Sequence, residues 1–215
     1  MRLTAVVREP VSSIDSSPPV LVLLHGLGAD EQDLIGLSTE LDPRLYVVSF
    51  RAPYSTGYGG YAWFGIDFLP DGGRIIDEDQ AEASLGVLID DLRELSAALA
   101  PSRLVLGGFS QGAMMSAGVV LRQPEILDAA WLMSGRLIPA FDTGAEPAKR
   151  LPILQQHGLY DDLLPATDGR ALAEILRAKG HELKYSEYPM AHQISYESLE
   201  EAARWLVPIL PGRLE

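Results

Sequence analysis

The stretch Leu104-Val-Leu-Gly-Gly-Phe-Ser-Gln-Gly-Ala-Met-Met-Ser-Ala-Gly-Val-Val-Leu121 decides the fold of this chain. Its centre, Gly108-Phe-Ser-Gln-Gly112, fits the G-x-S-x-G nucleophile elbow, in which a serine occupies a sharp turn between a strand and a helix. An apolar run at 104–106 predicts the strand, and the run at 113–121 predicts a buried helix. Small neighbours two positions from the serine are needed because larger ones would collide with the turn. Ser110 is therefore the candidate nucleophile.

Segments of the same two kinds alternate along the rest of the chain. Continuous apolar runs predict strands covered on both faces, and the last strand alternates more, which favours a place nearer a sheet edge. The predicted strands are residues 20–24, 45–50, 103–106, 129–133, 153–156 and 181–188. The predicted helices are residues 78–99, 111–122, 167–179 and 195–210. This alternation predicts one α/β domain over residues 1–215, with a mostly parallel central sheet and helices on both faces.

Two segments depart from this alternation. Residues 12–19 are polar and predict a short hairpin connection between the first two strands, of which the second is the strand at 20–24. Residues 52–76 are rich in Gly, Tyr and Pro and show neither helical nor strand periodicity. Structureless loops longer than about 12–15 residues are uncommon in compact domains and often bind ligands. We expect this irregular aromatic loop to lie near the active site and to face the substrate.

Composition excludes several classes of function. The chain has no cysteine, which excludes a disulfide framework, a cysteine–zinc site, an iron–sulfur cluster and a cysteine nucleophile. Lys and Arg number 17 and Asp and Glu number 30, so the net charge is 17 − 30 = −13. A surface this acidic repels phosphate backbones and anionic membranes, so no nucleic-acid partner is expected.

Nothing near the N terminus predicts export or membrane insertion. The first apolar stretch is ended by Arg8 and Glu9, too early for a secretory signal. The apolar run at 20–24 is far shorter than the roughly 20 residues that span a bilayer. Together with the missing cysteines, these features favour a cytoplasmic protein without stable membrane insertion.

A serine is a weak nucleophile unless a base takes its proton. In α/β-hydrolases the chain order is serine, then acid, then histidine. His192 follows the last predicted strand and therefore lies at the carboxyl edge of the sheet, where active sites gather. His181 lies at the opposite edge, and His25 and His157 precede a plausible acid. We predict His192 as the general base.

The acid is expected after a late strand between the serine and His192. Asp161 and Asp162 both follow the predicted strand at 153–156. Either carboxylate can orient the imidazole and stabilise its charged form. Asp142 and Asp168 are less favoured, so the residue pattern leaves the adjacent pair open.

An oxyanion hole completes such a site. The backbone N–H of the residue after the nucleophile, Gln111, is one donor, and the second comes from the loop after an early strand. His25-Gly-Leu-Gly28 occupies that place, and its glycines allow a close approach of the backbone. We predict the Leu27 N–H as the second donor and interpret His25 as structural.

Four ordered motifs resemble the phospholipase/carboxylesterase family of α/β-hydrolases, which includes acyl-protein thioesterases and small bacterial carboxylesterases. They span nearly the whole chain and read Leu24-His-Gly-Leu-Gly-Ala-Asp30, Gly107-Gly-Phe-Ser-Gln-Gly-Ala113, His157-Gly-Leu-Tyr-Asp-Asp-Leu-Leu-Pro165 and Tyr188-Pro-Met-Ala-His192. The segment Trp63-Phe-Gly-Ile-Asp67 also resembles the family's Trp-Phe-Asp-like segment beside the acyl pocket.

The resemblance implies Ser110 as nucleophile, Asp161 as acid and His192 as base. The family acid stands four residues before a proline, which makes Pro165 point to Asp161. The chain departs from the family pattern at Leu159, where an aspartate is common, and at Asp162, a position often taken by proline.

The expected activity is that of a serine carboxylesterase, which hydrolyses small to medium acyl esters through an acyl-enzyme on Ser110. Trp63, Phe64, Leu69 and Met190 are predicted to line the acyl site. A small-molecule ester is the expected partner, a homodimer is allowed, and neither a metal nor an organic cofactor is required.

Other functions share the same machinery or the same fold. A thioesterase or lysophospholipase acting on longer acyl chains is the main alternative, and the lack of a basic cluster for a phosphorylated headgroup favours the esterase. Acyl transfer and perhydrolysis are further possibilities. A non-catalytic ligand-binding module also remains, because a fold does not fix a function.

Overall fold

The computed structural model describes residues 1–11, 17–68 and 73–211, and within them strands alternate with helices. The strands are β1 (Ala5–Arg8), β2 (Val20–Leu24), β3 (Tyr46–Phe50), β4 (Tyr54–Ser55), β5 (Tyr61–Ala62), β6 (Ile66–Phe68), β7 (Arg74–Ile76), β8 (Leu104–Phe109), β9 (Ala129–Met133), β10 (Pro152–Gly158) and β11 (Glu182–Tyr188). The α-helices are α1 (Glu78–Leu99), α2 (Gln111–Arg122), α3 (Ala166–Ala178) and α4 (Tyr196–Leu206).

Seven of the strands form one sheet in the order β1-β3-β2-β8-β9-β10-β11. Only the pair β1–β3 is antiparallel, and the other five neighbouring pairs are parallel. The predicted mostly parallel α/β sheet is therefore confirmed. The last strand, β11, lies at the sheet edge, as its alternating sequence predicts.

Helices cover both faces of the sheet, and alternate residues of each strand point to opposite sides. In β2, Val20 and Val22 pack into the cluster that α1, α2 and α3 share. The intervening residues Leu21 and Leu23 pack against α4 and the 3₁₀ helix Ile35–Glu40. Each fully buried side chain of this size contributes about 1.5–3 kcal/mol to the free energy of unfolding.

The helix α1 begins and ends at the predicted residues. The Asp77 side chain accepts a hydrogen bond from the backbone N–H of Gln80, which caps the first turn. The helix α4, in contrast, ends at Leu206 instead of continuing to residue 210. Pro208 explains the difference, because it has no N–H to continue the helical ladder and it restricts the residue before it.

The predicted hairpin between the first two strands is wrong. The strand β1 pairs with one edge of β3, and β2 pairs with the other edge, so β3 lies between them. The chain therefore reverses its direction between β1 and β2, but the two strands do not pair with each other. Residues 12–16 of this connection lie outside the described residues.

The irregular segment at 52–76 holds more regular structure than its composition predicts. Two short antiparallel ribbons form in it, one from β4 and β5 and the other from β6 and β7. An isolated bridge between Ala29 and Tyr61 ties the first ribbon to the loop that follows β2. This attachment places the segment at the carboxyl edge of the sheet, beside the elbow.

Candidate active site

The elbow holds Ser110 between β8 and α2 in a conformation that side chains rarely adopt, with φ 57° and ψ −118°. Such a conformation persists only where the surrounding structure enforces it. A Cβ on Gly108 would lie 2.2 Å from the Gly112 carbonyl oxygen, and one on Gly112 would lie 2.0 Å from the Leu24 carbonyl oxygen. The two glycines are therefore required by backbone contacts on both sides of the serine.

Replacing Gly112 by alanine is expected to lower the free energy of unfolding by about 3 kcal/mol, because the new methyl group meets rigid backbone. Gly86 provides the control, since a Cβ there would meet nothing within 4 Å and the residue lies on an exposed face of α1. Gly86→Ala should raise the same quantity by about 0.5–1 kcal/mol. Urea unfolding followed by tryptophan fluorescence measures the free energy of unfolding of both variants. Equal values for the two variants would refute the prediction that a methyl group at residue 112 collides with the backbone.

Three of the predicted side chains lie in one hydrogen-bonded line. The Ser110 hydroxyl donates to Nε2 of His192 at 2.8 Å, and the Nδ1–H of His192 donates to Oδ2 of Asp161 at 2.6 Å. A carboxylate accepts hydrogen bonds only, which fixes this tautomer of the imidazole. The ring also packs beside Phe109, with centroids 4.9 Å apart. The imidazole is thus held in position to accept the serine proton.

The structure brings Asp161 to the imidazole and leaves its neighbour, Asp162, exposed. The other carboxylate oxygen of Asp161 accepts hydrogen bonds from the backbone N–H groups of Leu163 at 3.0 Å and Leu164 at 2.8 Å. The Asp161 side chain is fully buried, and the hydrogen bonds to both of its oxygens hold the carboxylate in this orientation. The geometry thus separates two residues that the residue pattern alone leaves equivalent.

Sequence reasoning missed His157 as a neighbour of this site. Its ring is fully buried, and its Nε2–H donates to the Leu164 carbonyl at 2.7 Å. The same nitrogen lies 3.6 Å from the carboxylate of Asp161. His157 therefore supports the loop that carries the acid, and the available signal was its place on β10 four residues before Asp161.

The loop after β2 passes beside the serine, as predicted. The Gly28 N–H donates to the Tyr61 carbonyl at 2.8 Å, which anchors the loop to the first ribbon. Among the described residues, neither the Leu27 N–H nor the Gln111 N–H meets an acceptor, and both residues line the cavity at Ser110. Two backbone donors are thus free beside the serine.

His25 has the structural role that the sequence predicts. Its Nδ1–H donates to the Gly26 carbonyl at 2.7 Å, and its Nε2 accepts from the Ala52 N–H at 3.0 Å. Burial lowers the pKa of His25, which favours the neutral ring that these two bonds require. The residue therefore joins the loop after β2 to the loop after β3.

The Gln111 side chain links the elbow to the aromatic segment. Its Oε1 accepts from the Trp63 N–H at 3.0 Å, and its Nε2 donates to the Phe64 carbonyl at 2.9 Å. The Trp63 indole N–H donates to the His25 carbonyl at 2.9 Å, and the side chain is fully buried. Trp63 was predicted to line the acyl site, but it is a core residue whose ring is held by the bond to the His25 carbonyl.

The other predicted substrate-binding residues have different places. Phe64 lines a cavity that adjoins the one at Ser110. Met190 is nearly buried, and its backbone N–H and carbonyl bond to Tyr188 and Tyr160; it does not line the cavity at Ser110. Leu69 lies outside the described residues.

The cavity at Ser110 has a volume of about 200 Å³. Its apolar wall includes four side chains that the sequence did not single out as binding residues: Ile66, Met114, Leu163 and Leu164. The adjoining cavity of about 630 Å³ shares Leu27 and Ile66 with it and is lined by Tyr54, Tyr58 and Phe64. The serine therefore opens onto a small apolar space with a larger one beside it.

An ion pair stabilises the outer side of the loop after β2. Arg51 donates from Nε and from a terminal nitrogen to the two carboxylate oxygens of Glu31, both at 2.5 Å. The hydrogen bond from Arg51 lowers the pKa of Glu31. The guanidinium also lies 4.6 Å from the centre of the Tyr61 ring, so it joins the loop to the first ribbon.

Within the described part of the chain, no three His, Asp or Glu side chains are grouped as metal ligands would be. None of the helices at 78–99, 111–122, 166–178 or 196–206 has the length and apolar character to span a bilayer.

Comparisons with known proteins identify relatives of this chain. The phospholipase/carboxylesterase family matches residues 7–209. An acyl-protein thioesterase 1 of Gibberella zeae is 31% identical and covers 70% of this chain and 69% of its own. A probable inactive carboxylesterase of Oryza sativa subsp. japonica is 30% identical and covers 94% of this chain and 89% of its own. The crystal structure of esterase PE8 has a TM-score of 0.87 at 31% identity and covers 98% of this chain and 100% of that one.

The parallel sheet and the serine elbow at its carboxyl edge define an α/β-hydrolase fold. Within that fold, the chain belongs to the phospholipase/carboxylesterase family, as the match over residues 7–209 shows. The resemblance inferred from the four motifs is thus confirmed. Family membership also confirms the predicted enzyme class, a hydrolase.

Proposed function

We propose that the chain is a serine carboxylesterase that hydrolyses small to medium acyl esters through an acyl-enzyme on Ser110. The observation that carries this proposal is the hydrogen-bonded line from Asp161 through His192 to Ser110, which opens onto a small apolar cavity. A serine needs such a base to become an effective nucleophile, and the base needs an orienting acid.

In the proposed reaction, Ser110 Oγ attacks the ester carbonyl carbon while Nε2 of His192 takes the hydroxyl proton. The oxyanion accepts hydrogen bonds from the backbone N–H groups of Leu27 and Gln111, and the N-terminal end of α2 adds a favourable dipole. His192 then returns the proton to the leaving alkoxide, and the alcohol departs. Asp161 stabilises the imidazolium form during this step.

The second half of the reaction reuses the same groups. Water enters the place of the alcohol and gives a proton to Nε2 of His192 as its oxygen attacks the acyl carbon. The tetrahedral intermediate collapses, the serine takes the proton back, and the carboxylic acid leaves. Each lost donor to the oxyanion is expected to lower kcat by about 10²–10³-fold.

The volume of the cavity favours small to medium acyl groups. Pockets for drug-sized ligands commonly have volumes of about 300–1,000 Å³, and the space at Ser110 is about 200 Å³. The second candidate is a thioesterase for longer acyl chains. It is favoured by the adjoining cavity of about 630 Å³ and by a relative named acyl-protein thioesterase 1.

A non-catalytic ligand-binding module is the alternative from another class. One relative is named a probable inactive carboxylesterase. In this chain, however, Ser110, His192 and Asp161 are all present and mutually hydrogen-bonded. A binding module has no need to keep that arrangement, so the alignment of the three side chains supports the enzyme.

The proposal is tested by initial rates on p-nitrophenyl esters from acetate to palmitate, with acyl thioesters of matched length beside them. We expect the highest kcat/KM on short and medium esters, with lower values on the thioesters. A maximum on long thioesters would favour the thioesterase instead. Added alcohol as a competing acceptor separates hydrolysis from acyl transfer.

Covalent labelling tests the site independently of substrate choice. A fluorophosphonate should modify one serine, which peptide mass spectrometry is expected to place at Ser110. A folded protein that neither reacts with the fluorophosphonate nor hydrolyses any ester would support the binding module and refute the enzyme.

A further inference from the structure

A third cavity, of about 320 Å³, adjoins the one at Ser110 and shares no lining residue with the cavity beside Phe64. Arg74, Leu163 and Leu164 line both cavities, so the two cavities share one wall, in which a terminal nitrogen of Arg74 donates to the Leu163 carbonyl. Arg136 lines only the third cavity. Two arginines therefore line a cavity that lies next to the candidate active site.

Arg136 stands out because its side chain has no protein acceptor in the described part of the chain. Its Nε is buried and without a hydrogen-bond partner, and no carboxylate of a described residue lies within ion-pair distance of its guanidinium. A buried donor without a partner is costly, more so when the donor group is charged. Arg136 also lines the third cavity, so an anionic ligand bound there can supply the missing acceptor to its terminal N–H groups.

Asp162 and Asp168 also line the third cavity, but neither forms an ion pair with Arg136 among the described contacts. The chain as a whole carries a net charge of −13, which repels anions. An anionic group can therefore bind near the serine only if local cations offset that field. Arginine suits this role, because its planar fork matches the two oxygens of a carboxylate.

We propose that Arg136 binds a carboxylate carried by the ester substrate. The preferred substrates are then esters with one free carboxylate, either half-esters of dicarboxylic acids or acyl esters of hydroxy acids. The proposal rests on the proposed esterase function and adds to it the substrate class. The apolar cavity beside Phe64 takes the uncharged end of the same molecule.

Matched pairs of esters test the proposal and locate the carboxylate. Monomethyl glutarate is compared with methyl pentanoate, which places the charge on the acyl side. The anion of 4-acetoxybutanoic acid is compared with butyl acetate, which places it on the alcohol side. In wild type we expect a higher kcat/KM for the charged member of one pair, with a KM that rises with salt because the attraction is screened.

Arg136→Gln should lower kcat/KM for that charged ester by about 10–100-fold, the value of a hydrogen bond to a charged group. Its neutral partner should be hydrolysed as before. Arg136→Lys should recover part of the loss, and Asp168→Asn should increase the preference for the charged ester. Arg170→Gln is the matched control, since Arg170 pairs with Glu187 elsewhere on the surface and its loss removes the same charge.

Two outcomes would overturn the proposal. If Arg136→Gln lowered kcat/KM equally for charged and neutral esters, Arg136 would act on the fold alone. If it lowered kcat/KM for neither ester, Arg136 would not contact the substrate. Calorimetric titration of Ser110→Ala with both charged esters separates this proposal from the esterase proposal. Binding that disappears in Ser110→Ala/Arg136→Gln supports the carboxylate site even if wild type hydrolyses no ester.

Discussion

Ser110→Ala is expected to lower kcat for the best p-nitrophenyl ester by about 10⁶-fold, as when a serine hydrolase loses its nucleophile. The hydroxyl that donates to Nε2 of His192 is the only group at the elbow that can form the acyl-enzyme. Residual rate comes from binding and from the donors at Leu27 and Gln111, which remain in place. Initial rates with a colorimetric ester measure the loss directly.

Ser116→Ala provides the matched control for the nucleophile. Ser116 is a buried serine on α2 whose hydroxyl donates to the Gly112 carbonyl at 2.9 Å. Its replacement by alanine also removes one hydroxyl group, but one that forms no hydrogen bond with His192. Its kcat should stay near that of wild type. If Ser110→Ala keeps its activity while remaining folded, the nucleophile assignment and the proposed mechanism are both wrong.

Local sequence was sufficient to predict the elbow and the elements beside it. The strand β8, the turn at Ser110 and the helix α2 follow one another without interruption. The apolar residues and glycines that determine them therefore all lie within about 20 residues of sequence. The bounds of α1 were predictable for the same reason, from one apolar stripe and the cap at Asp77. The order of the motifs along the chain then identified the family.

Strand pairing was less predictable, because it depends on contacts between distant segments. Nothing in residues 1–24 indicates that β1 pairs with β3 and not with β2. The structure of the irregular segment at 52–76 likewise depends on contacts with distant parts of the chain. Its ribbons are held by bonds to other parts of the chain, such as those from Gln111 to Trp63 and Phe64.

The cavity walls were the least predictable part of the candidate site. Ile66, Met114 and Leu164 come from three separate segments, and each alone has the pattern of an ordinary core residue. The expected aromatic lining was incorrect at Trp63 because its indole N–H found an internal acceptor. Arg74 and Arg136 likewise form no cluster in the sequence, although they line one cavity in the fold.

Asp161→Asn is expected to lower kcat by about 10⁴-fold, while Asp162→Asn should leave it within a few-fold of wild type. The amide keeps the size of the carboxylate but can donate a hydrogen bond, which favours the tautomer of His192 whose Nε2 carries the proton. That nitrogen then cannot accept the proton of Ser110. The exposed Asp162 makes no such contact with the imidazole.

The adjacent pair makes this comparison unusually direct, because both variants remove one negative charge from the same loop. A general loss of charge near the site would affect the two variants alike, and so would a general loss of stability, which thermal unfolding of each variant measures. Only a specific hydrogen bond to Nδ1 of His192 makes them differ by about four orders of magnitude. A large loss in Asp162→Asn with an active Asp161→Asn would instead assign the acid to Asp162 and require the loop to rearrange when substrate binds.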